Sequence, residues 1–208
     1  MLFNVFFVCF RNSPETSECV IRPDLCRAHI LDENPSQWEL DYHNQPHIVY
    51  FSFTSHVKVG VTRQANMVSR WIDQGAIAAI VIAKTPNRFL AGCIEKQLSN
   101  LMSDRTHWSK MLKTTQFSVN FKDLLIQNVQ YLSDDLSKFL SPSDGSTYFK
   151  FPFCDDCPEK IKSISLDKMT YIEDILIGIK GQYLIFKSGN VLNVRKHSGY
   201  EISLECFT

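Results

Sequence analysis

The chain has 208 residues, 44% of them hydrophobic, which is enough to form a packed core in one domain or in one domain with appendages. Lysine and arginine together number 22, as do aspartate and glutamate, so no overall basic field indicates nucleic-acid binding, although a local basic groove would suffice. No apolar run approaches the roughly 20 residues of a membrane span, so we expect no membrane partner, and the lack of an export signal predicts a cytoplasmic protein.

The first 47 residues contain many turn-forming residues and little hydrophobic periodicity, so this segment can bury little surface by itself. Small loop-rich segments of this kind are often held together by a metal ion. Two cysteines and two histidines make a suitable tetrahedral shell for Zn²⁺, namely Cys19, Cys26, His29 and His43. We therefore predict a structural zinc site. The alternative is a set of buried free cysteines and surface histidines.

The segment from Ile48 to Leu98 predicts an organised α/β unit. Its periodicity and turn residues indicate strand, strand, helix, strand and helix, at residues 48–53, 57–62, 65–74, 76–83 and 87–102. Gly60, inside the second strand, indicates a bulge or the close approach of backbone or ligand. Arg70 on the first helix and Glu95 at the edge of the apolar stripe of the second helix are the strongest charged candidates for a site.

The remainder of the chain predicts a helical stretch at residues 117–140, a linker at 141–146 and then a small β-barrel or curled sheet. The strands of this last unit are predicted at residues 148–153, 175–185, 191–194 and 201–206. Its aromatic and basic residues suit either a surface for single-stranded nucleic acid or an ordinary core with polar hairpin tips. The Cys-x-x-Cys pair of Cys154 and Cys157 has no further ligands nearby in sequence, which favours incidental cysteines.

Several motifs of the central segment resemble those of an uncharacterised bacterial family, a domain of unknown function. The core of the resemblance is Lys58-Val59-Gly60-Val61-Thr62-Arg63 with Arg70-Trp71-Ile72-Asp73-Gln74-Gly75-Ala76. It continues at residues 85–89, 91–95 and 104–108 and covers roughly residue 9 to the end. More distantly, the motif order is similar to the GIY-YIG endonuclease superfamily. Ile48-Val49-Tyr50 stands at the first tripeptide of that pattern and Lys58-Val59-Gly60 at the second.

The resemblance implies a fold of the α/β (α+β) class, with a GIY-YIG-like three-stranded sheet flanked by helices. We expect a loop-rich segment at residues 1–47, the GIY-YIG-like domain with trailing helices at 48–140, and a small β-rich unit at 147–208. The resembled family usually has a cysteine-rich zinc ribbon ahead of the domain, of which this sequence shows only Cys9. His43 stands where that family tends to have cysteine, an exchange that zinc tolerates.

The resemblance also implies a divalent-metal-dependent endonuclease that acts on DNA or RNA. Tyr50 would orient or deprotonate water, Arg70 would steady the scissile phosphate, and Glu95 would hold Mg²⁺ or Mn²⁺. Lys58 stands where the nucleases have a second tyrosine, and it suits a phosphate ligand better than a base.

Further nucleic-acid contacts are assigned to Arg63 and Arg88. Two other functions stay open: a non-catalytic DNA- or RNA-binding module on the same scaffold, and a structural or interaction protein. In the last case Tyr50 is an ordinary strand aromatic, Arg70 forms a structural ion pair, and Glu95 is solvated surface.

Overall fold

The computed structural model describes residues 13–99, 107–154 and 156–206. Contacts divide the chain at residue 150 into two compact units, each of which is described by itself. Helices and strands are both present in quantity, so the fold is of the mixed α/β class, with two four-stranded sheets. None of the helices within the described residues is long and apolar enough to cross a membrane.

The first unit is built on an antiparallel sheet with the strand order β2-β1-β3-β4. The strands are β1 (His47–Phe53), β2 (Val57–Arg63), β3 (Ala78–Thr85) and β4 (Thr147–Tyr148). Strand β1 is central and fully buried, and it pairs with β2 on one side and β3 on the other. The first three strands fall where the sequence predicted strands, while β4 is a two-residue addition beside β3 that the three-stranded expectation did not include.

The two faces of this sheet carry different side chains. Tyr50 lies opposite Gly60 of β2 and Val81 of β3, and it packs in one core cluster with Trp71. The next residue, Phe51, points to the other face because strand side chains alternate, and its ring lies 6.4 Å from that of Phe121. The sheet is therefore covered on both faces, as its apolar third strand predicted.

Six α-helices occur within the described part of the first unit: α1 (Gln37–His43), α2 (Met67–Asp73), α3 (Arg88–Ser99), α4 (Trp108–Lys113), α5 (Phe121–Val129) and α6 (Asp134–Ser137). Helix α1 begins at a capping box, in which Ser36 and Glu39 satisfy each other's backbone amides. Helix α2 ends at Asp73, and Gly75, which follows the cap residue Gln74, has a φ of 69° that suits glycine.

The helical stretch predicted at residues 117–140 forms two helices, because local capping divides it. The Asn120 side chain accepts a hydrogen bond from the Lys122 amide and starts α5. The chain turns after α5, and Ser133, with extended backbone angles, precedes α6. Apolar spacing continues through both helices and hides this break from a periodicity argument.

The second unit holds a sheet in the order β5-β8-β7-β6. Its strands are β5 (Lys162–Ile164), β6 (Leu176–Lys180), β7 (Tyr183–Phe186) and β8 (Asn190–Asn193). The strand predicted at residues 175–185 is a hairpin, because Gly181 has a φ of 57° and reverses the chain. Residues 201–206 do not form the predicted last strand, and of the one predicted at 148–153 only β4 and an isolated bridge at Phe153 form.

Candidate functional site

Tyr50 occupies the centre of a site on one face of the first sheet. Its ring lies across β2 at Gly60, where an added Cβ would stand 2.6 Å from both Cζ and the hydroxyl oxygen of Tyr50. The ring also packs edge-on against Trp71, with centroids 5.7 Å apart. Its hydroxyl donates a hydrogen bond to Oε1 of Gln74 at 3.1 Å. The glycine that the sequence analysis singled out is therefore the residue that makes room for this tyrosine.

Charged residues from two helices influence the same hydroxyl electrostatically. Burial raises the pKa of Tyr50, and the nearby positive charge of Arg70 and the hydrogen bond to Gln74 oppose that rise. The negative charge of Glu95, on α3, adds to the rise. Helices α2 and α3 thus bring Arg70 and Glu95 into the electrostatic surroundings of one phenol. Because its pKa lies above the ordinary value, Tyr50 stays protonated at neutral pH and acts as a hydrogen-bond donor.

Lys58 shares the sheet face of Tyr50. It lies two residues before Gly60 on β2, opposite Ser52 of β1, so its side chain leaves the sheet on the same side. Lys58, Arg70 and Glu95 are all half-buried, whereas the Tyr50 side chain is 1% exposed. A ligand at this face would meet the three charged side chains before it met the tyrosine.

The two arginines predicted as further nucleic-acid contacts have local partners. The Arg63 guanidinium stands 4.6 Å from the centre of the Tyr42 ring, on the opposite side of β2 from Lys58. Arg88 donates to the carbonyl oxygens of Cys19 at 3.1 Å and Val20 at 2.8 Å. Arg88 therefore fastens the amino-terminal segment to α3.

A second site, a candidate metal centre, lies in the amino-terminal segment. Cys19, Cys26 and His43 are buried, and their ligand atoms all lie within 4.8 Å of one another. The structure thus brings together three of the four predicted zinc ligands. His29 lies outside this group; its ring stacks on Phe89 with centroids 4.5 Å apart, and its Nδ1 is buried with no hydrogen-bond partner in the described structure. Cys9 lies outside the described residues.

The two sulfur atoms of the cluster are electrostatically unequal. A hydrogen bond from the Cys26 thiol lowers the pKa of Cys19 well below its ordinary value, and His43 and Ser17 lower it further. Nδ1 of His43 lies 3.7 Å from the Cys19 sulfur, and the Ser17 hydroxyl oxygen lies 3.2 Å from it. The Cys19 interaction and burial raise the pKa of Cys26. Ionisation of Cys19 is therefore favoured over that of Cys26, and a thiolate is the form of cysteine that binds a metal ion.

Close packing holds the segment that carries these cysteines against α3. A Cβ on Gly92 would stand 2.3 Å from the backbone nitrogen of Asp24, so only glycine allows this approach. One turn further along α3, Nζ of Lys96 lies 2.6 Å from the Asp24 carboxylate. The roles of Gly92 and Gln74 were not predicted from the sequence, although a glycine within a helix and a polar residue at a helix end were available as signals.

The fold and the two sites define a mixed α/β protein with a polar face on its first sheet and a Cys/His cluster able to hold a metal ion. The chain belongs to the family described as "Protein of unknown function (DUF2797)", which it matches over residues 4–202. This bears out the resemblance to an uncharacterised family. No curated protein and no solved structure matches the chain.

Proposed function

We propose that the protein acts on nucleic acid through the sheet face around Tyr50, as a GIY-YIG-like, divalent-metal-dependent endonuclease. One observation carries the proposal: the Tyr50 hydroxyl donates to Gln74 and feels the charges of Arg70 and Glu95, and Lys58 leaves the sheet on the same side. The two cationic side chains suit the oxygens of a phosphodiester, and the carboxylate suits a divalent metal ion.

Each side chain has a definite role in this proposal. Arg70 and Lys58 contact the phosphate oxygens, and Glu95 would hold Mg²⁺ or Mn²⁺, which supplies Lewis-acid stabilisation of charge on the leaving oxygen. Tyr50, protonated and buried, orients Gln74 and the neighbouring Arg70 and does not abstract a proton. This assignment departs from the expectation that a tyrosine deprotonates water.

A non-catalytic DNA- or RNA-binding module is the second candidate function. The observation in its favour is again Tyr50, which is 1% exposed and has a raised pKa. With Lys58 in place of a second tyrosine and Tyr50 held protonated, this face would bind phosphate with two cations but would have no tyrosine to act as a base. Binding and cleavage therefore have to be measured separately.

The proposal extends to Zn²⁺ as the metal of the Cys19, Cys26 and His43 cluster. Two sulfurs and one imidazole match the ligand preference of zinc, and one sulfur already has a depressed pKa. The ion would crosslink the segment around Cys19 and Cys26 to α1, on which His43 lies. Its role there is structural, because Cys19 lies in a short 3-10 turn and Cys26 ends the next one, Pro23–Leu25, which packs against α3.

A cleavage assay tests the catalytic part of the proposal. Labelled single- and double-stranded DNA and RNA are incubated with purified protein and Mg²⁺, Mn²⁺ or EDTA. We expect cleavage that needs the divalent ion and falls by at least about 100-fold in Glu95→Gln, because the ion loses its carboxylate. Glu173→Gln, an exposed change of the same type in the second unit, is the matched control and should retain full activity.

The outcomes separate the two candidate functions. Metal-dependent cleavage lost in Glu95→Gln supports the endonuclease. Salt-sensitive binding without cleavage supports the binding module. Equal activity in Glu95→Gln and wild type would show that any cleavage arises elsewhere, or from a contaminant.

A further inference from the structure

The second unit contains a Cys-x-x-Cys pair, and the chain that leads into it packs at Phe151 against a buried lysine. The chain approaches the first cysteine along the edge of β6: the Ile179 amide donates to the Pro152 carbonyl at 2.9 Å, and the Cys154 amide donates to the Ile177 carbonyl at 2.7 Å. The Phe153 ring covers Gly178, where a Cβ would meet it at 2.5 Å. Cys154 therefore has a fixed backbone position while its side chain is exposed.

The chain is also held on the far side of the second cysteine, Cys157. The Lys162 amide donates to the Gly189 carbonyl at 2.9 Å, in the turn between β7 and β8. A Cβ on Gly189 would stand 2.4 Å from the Lys160 carbonyl oxygen and 3.9 Å from Cβ of Pro158. Cys157 itself is half-buried, so a small reagent in solvent can still reach it.

Lys180, the last residue of β6, is a buried charged group beside the ring of Phe151, three residues before Cys154. Its side chain is 2% exposed, and its ammonium lies 5.7 Å from the centre of the Phe151 ring. Burial lowers the pKa of Lys180 to about 8, and the negative charge of Cys157 acts in the opposite direction. A buried ammonium needs a nearby negative charge, and the Cys157 sulfur provides one when it is ionised.

We propose that Cys154 and Cys157 are a redox-active dithiol, in which Lys180 stabilises the thiolate of Cys157. The three observations that carry this are the anchored backbone on both sides of the pair, the exposed first cysteine, and the buried cation at the ring of Phe151, three residues before that cysteine. The co-reactant is a low-molecular-weight disulfide. This site is independent of the nucleic-acid face, which lies in the other unit.

The reaction is a balanced thiol–disulfide exchange. The Cys157 thiolate attacks one sulfur of the small disulfide, forms a mixed disulfide and releases the first small thiolate, which takes a proton from water. The Cys154 thiol then loses its proton to solvent, and its sulfur attacks that of Cys157 and releases the second small thiolate. The protein dithiol loses two electrons, and one small disulfide becomes two small thiols.

Tryptic mapping tests the pair in the whole chain. Trypsin cuts after Lys150 and Lys160, so residues 151–160 form one peptide that contains Cys154, Cys157 and no other cysteine. The protein is equilibrated in mixtures of reduced and oxidised glutathione, quenched with acid, alkylated and digested. We expect this peptide to convert reversibly to an internal disulfide as the oxidised fraction rises. If it shows only independently alkylated or glutathionylated cysteines at every ratio, the proposal is overturned.

Variants of Lys180 test the role of its charge. In Lys180→Met, alkylation of Cys157 at pH 7 should slow on the order of tenfold, because loss of the cation raises the pKa of the thiol by about one unit. Lys180→Arg keeps the cation and should stay close to wild type. Cys206, an exposed cysteine on a separate tryptic peptide, is the internal control and should keep its rate.

An unchanged rate at Cys157 in Lys180→Met contradicts the role of Lys180. If that variant does not fold, the pH profile of wild-type alkylation decides the question. A half-maximal rate for Cys157 clearly below the ordinary cysteine pKa of about 8.5 supports the thiolate–ammonium pair, and one at or above that value overturns it.

Discussion

Gly60 determines where the Tyr50 ring lies, because its missing side chain leaves the space that the ring fills. The position of the ring places the hydroxyl within hydrogen-bond distance of Gln74. It also places the hydroxyl in the electrostatic surroundings of Arg70. A change at this glycine should therefore disturb the polar face and the core cluster together.

We predict that Gly60→Ala destabilises the protein by about 1–3 kcal/mol, because its Cβ overlaps the buried Tyr50 ring. Gly145→Ala is the control, since nothing lies within 4 Å of the added Cβ, and it should stay within about 0.5 kcal/mol of wild type. Urea unfolding measures the unfolding free energy of both variants, provided that its dependence on urea concentration is the same as in wild type. Equal stability of the two variants would contradict the described packing.

His47, at the start of β1, links stability to pH. Its side chain is fully buried, its Nδ1 lies 2.7 Å from the Gln45 carbonyl, and its Nε2 has no hydrogen-bond partner in the described structure. Burial lowers the pKa of His47 to about 4 from an ordinary value of 6.5. The folded state thus binds fewer protons than the unfolded state, so stability is full above about pH 6.5 and is lost as the pH falls towards 4.

Between pH 7 and pH 4, His47 should lower the free energy of unfolding by up to about 3 kcal/mol, which corresponds to the difference between its folded and unfolded pKa. Urea unfolding at pH 7 and pH 4 gives the stability loss of wild type and of His47→Gln, whose side chain at this position cannot titrate. The difference between the two losses is the contribution of His47. The exposed His107→Gln should lose as much stability as wild type. If His47→Gln loses just as much, the histidine is not held neutral by burial.

At the scale of elements, α3 joins both sites of the first unit. Arg88 and Gly92 hold the cysteine-bearing segment on this helix, and Glu95, on the same helix, acts on the Tyr50 hydroxyl. A metal ion in the Cys/His cluster would therefore stabilise the segment that packs against the helix of the proposed catalytic carboxylate.

We predict about one Zn²⁺ per chain in protein purified without chelator, because the cluster offers two sulfurs and an imidazole. Its removal should lower stability by several kcal/mol, following the linkage between binding and folding. Cys26→Ser should lose the metal, and Cys93→Ser, at a half-buried cysteine on α3, should keep it. Elemental analysis and thermal unfolding provide the readouts. Zinc retained in Cys26→Ser would contradict the site.

Sequence patterns predicted the buried strands well, because β1 to β3 have apolar residues and clear turns on either side. They predicted a strand at residues 148–153 but not that only its start would pair with β3, as the two-residue strand β4. The metal cluster was predicted in part. Residue chemistry identified Cys19, Cys26 and His43, but it also included His29, which lies outside the cluster. His29 satisfied the same chemistry, and only its stacking on Phe89 separates it from the others.

At the scale of the whole molecule, equal numbers of acidic and basic residues exclude binding through overall charge. Nucleic-acid binding must then come from one local face, and the proposed face has Lys58 and Arg70 as its cations. Lys122, on α5, has the same charge but belongs to the helix that packs against the other face, through the contact of Phe121 with Phe51. Removing one positive charge from each face, at Arg70 and at Lys122, therefore compares the contribution of the two faces to binding.

The most direct measurement is the salt dependence of binding to a labelled oligonucleotide for wild type, Arg70→Met and Lys122→Met. The proposed function predicts weaker binding and a log–log salt slope shallower by about 0.7–0.9 in Arg70→Met, since one phosphate contact is lost, and wild-type behaviour in Lys122→Met. No binding at low salt, or equal effects of the two changes, would contradict a nucleic-acid face at Tyr50 and Arg70.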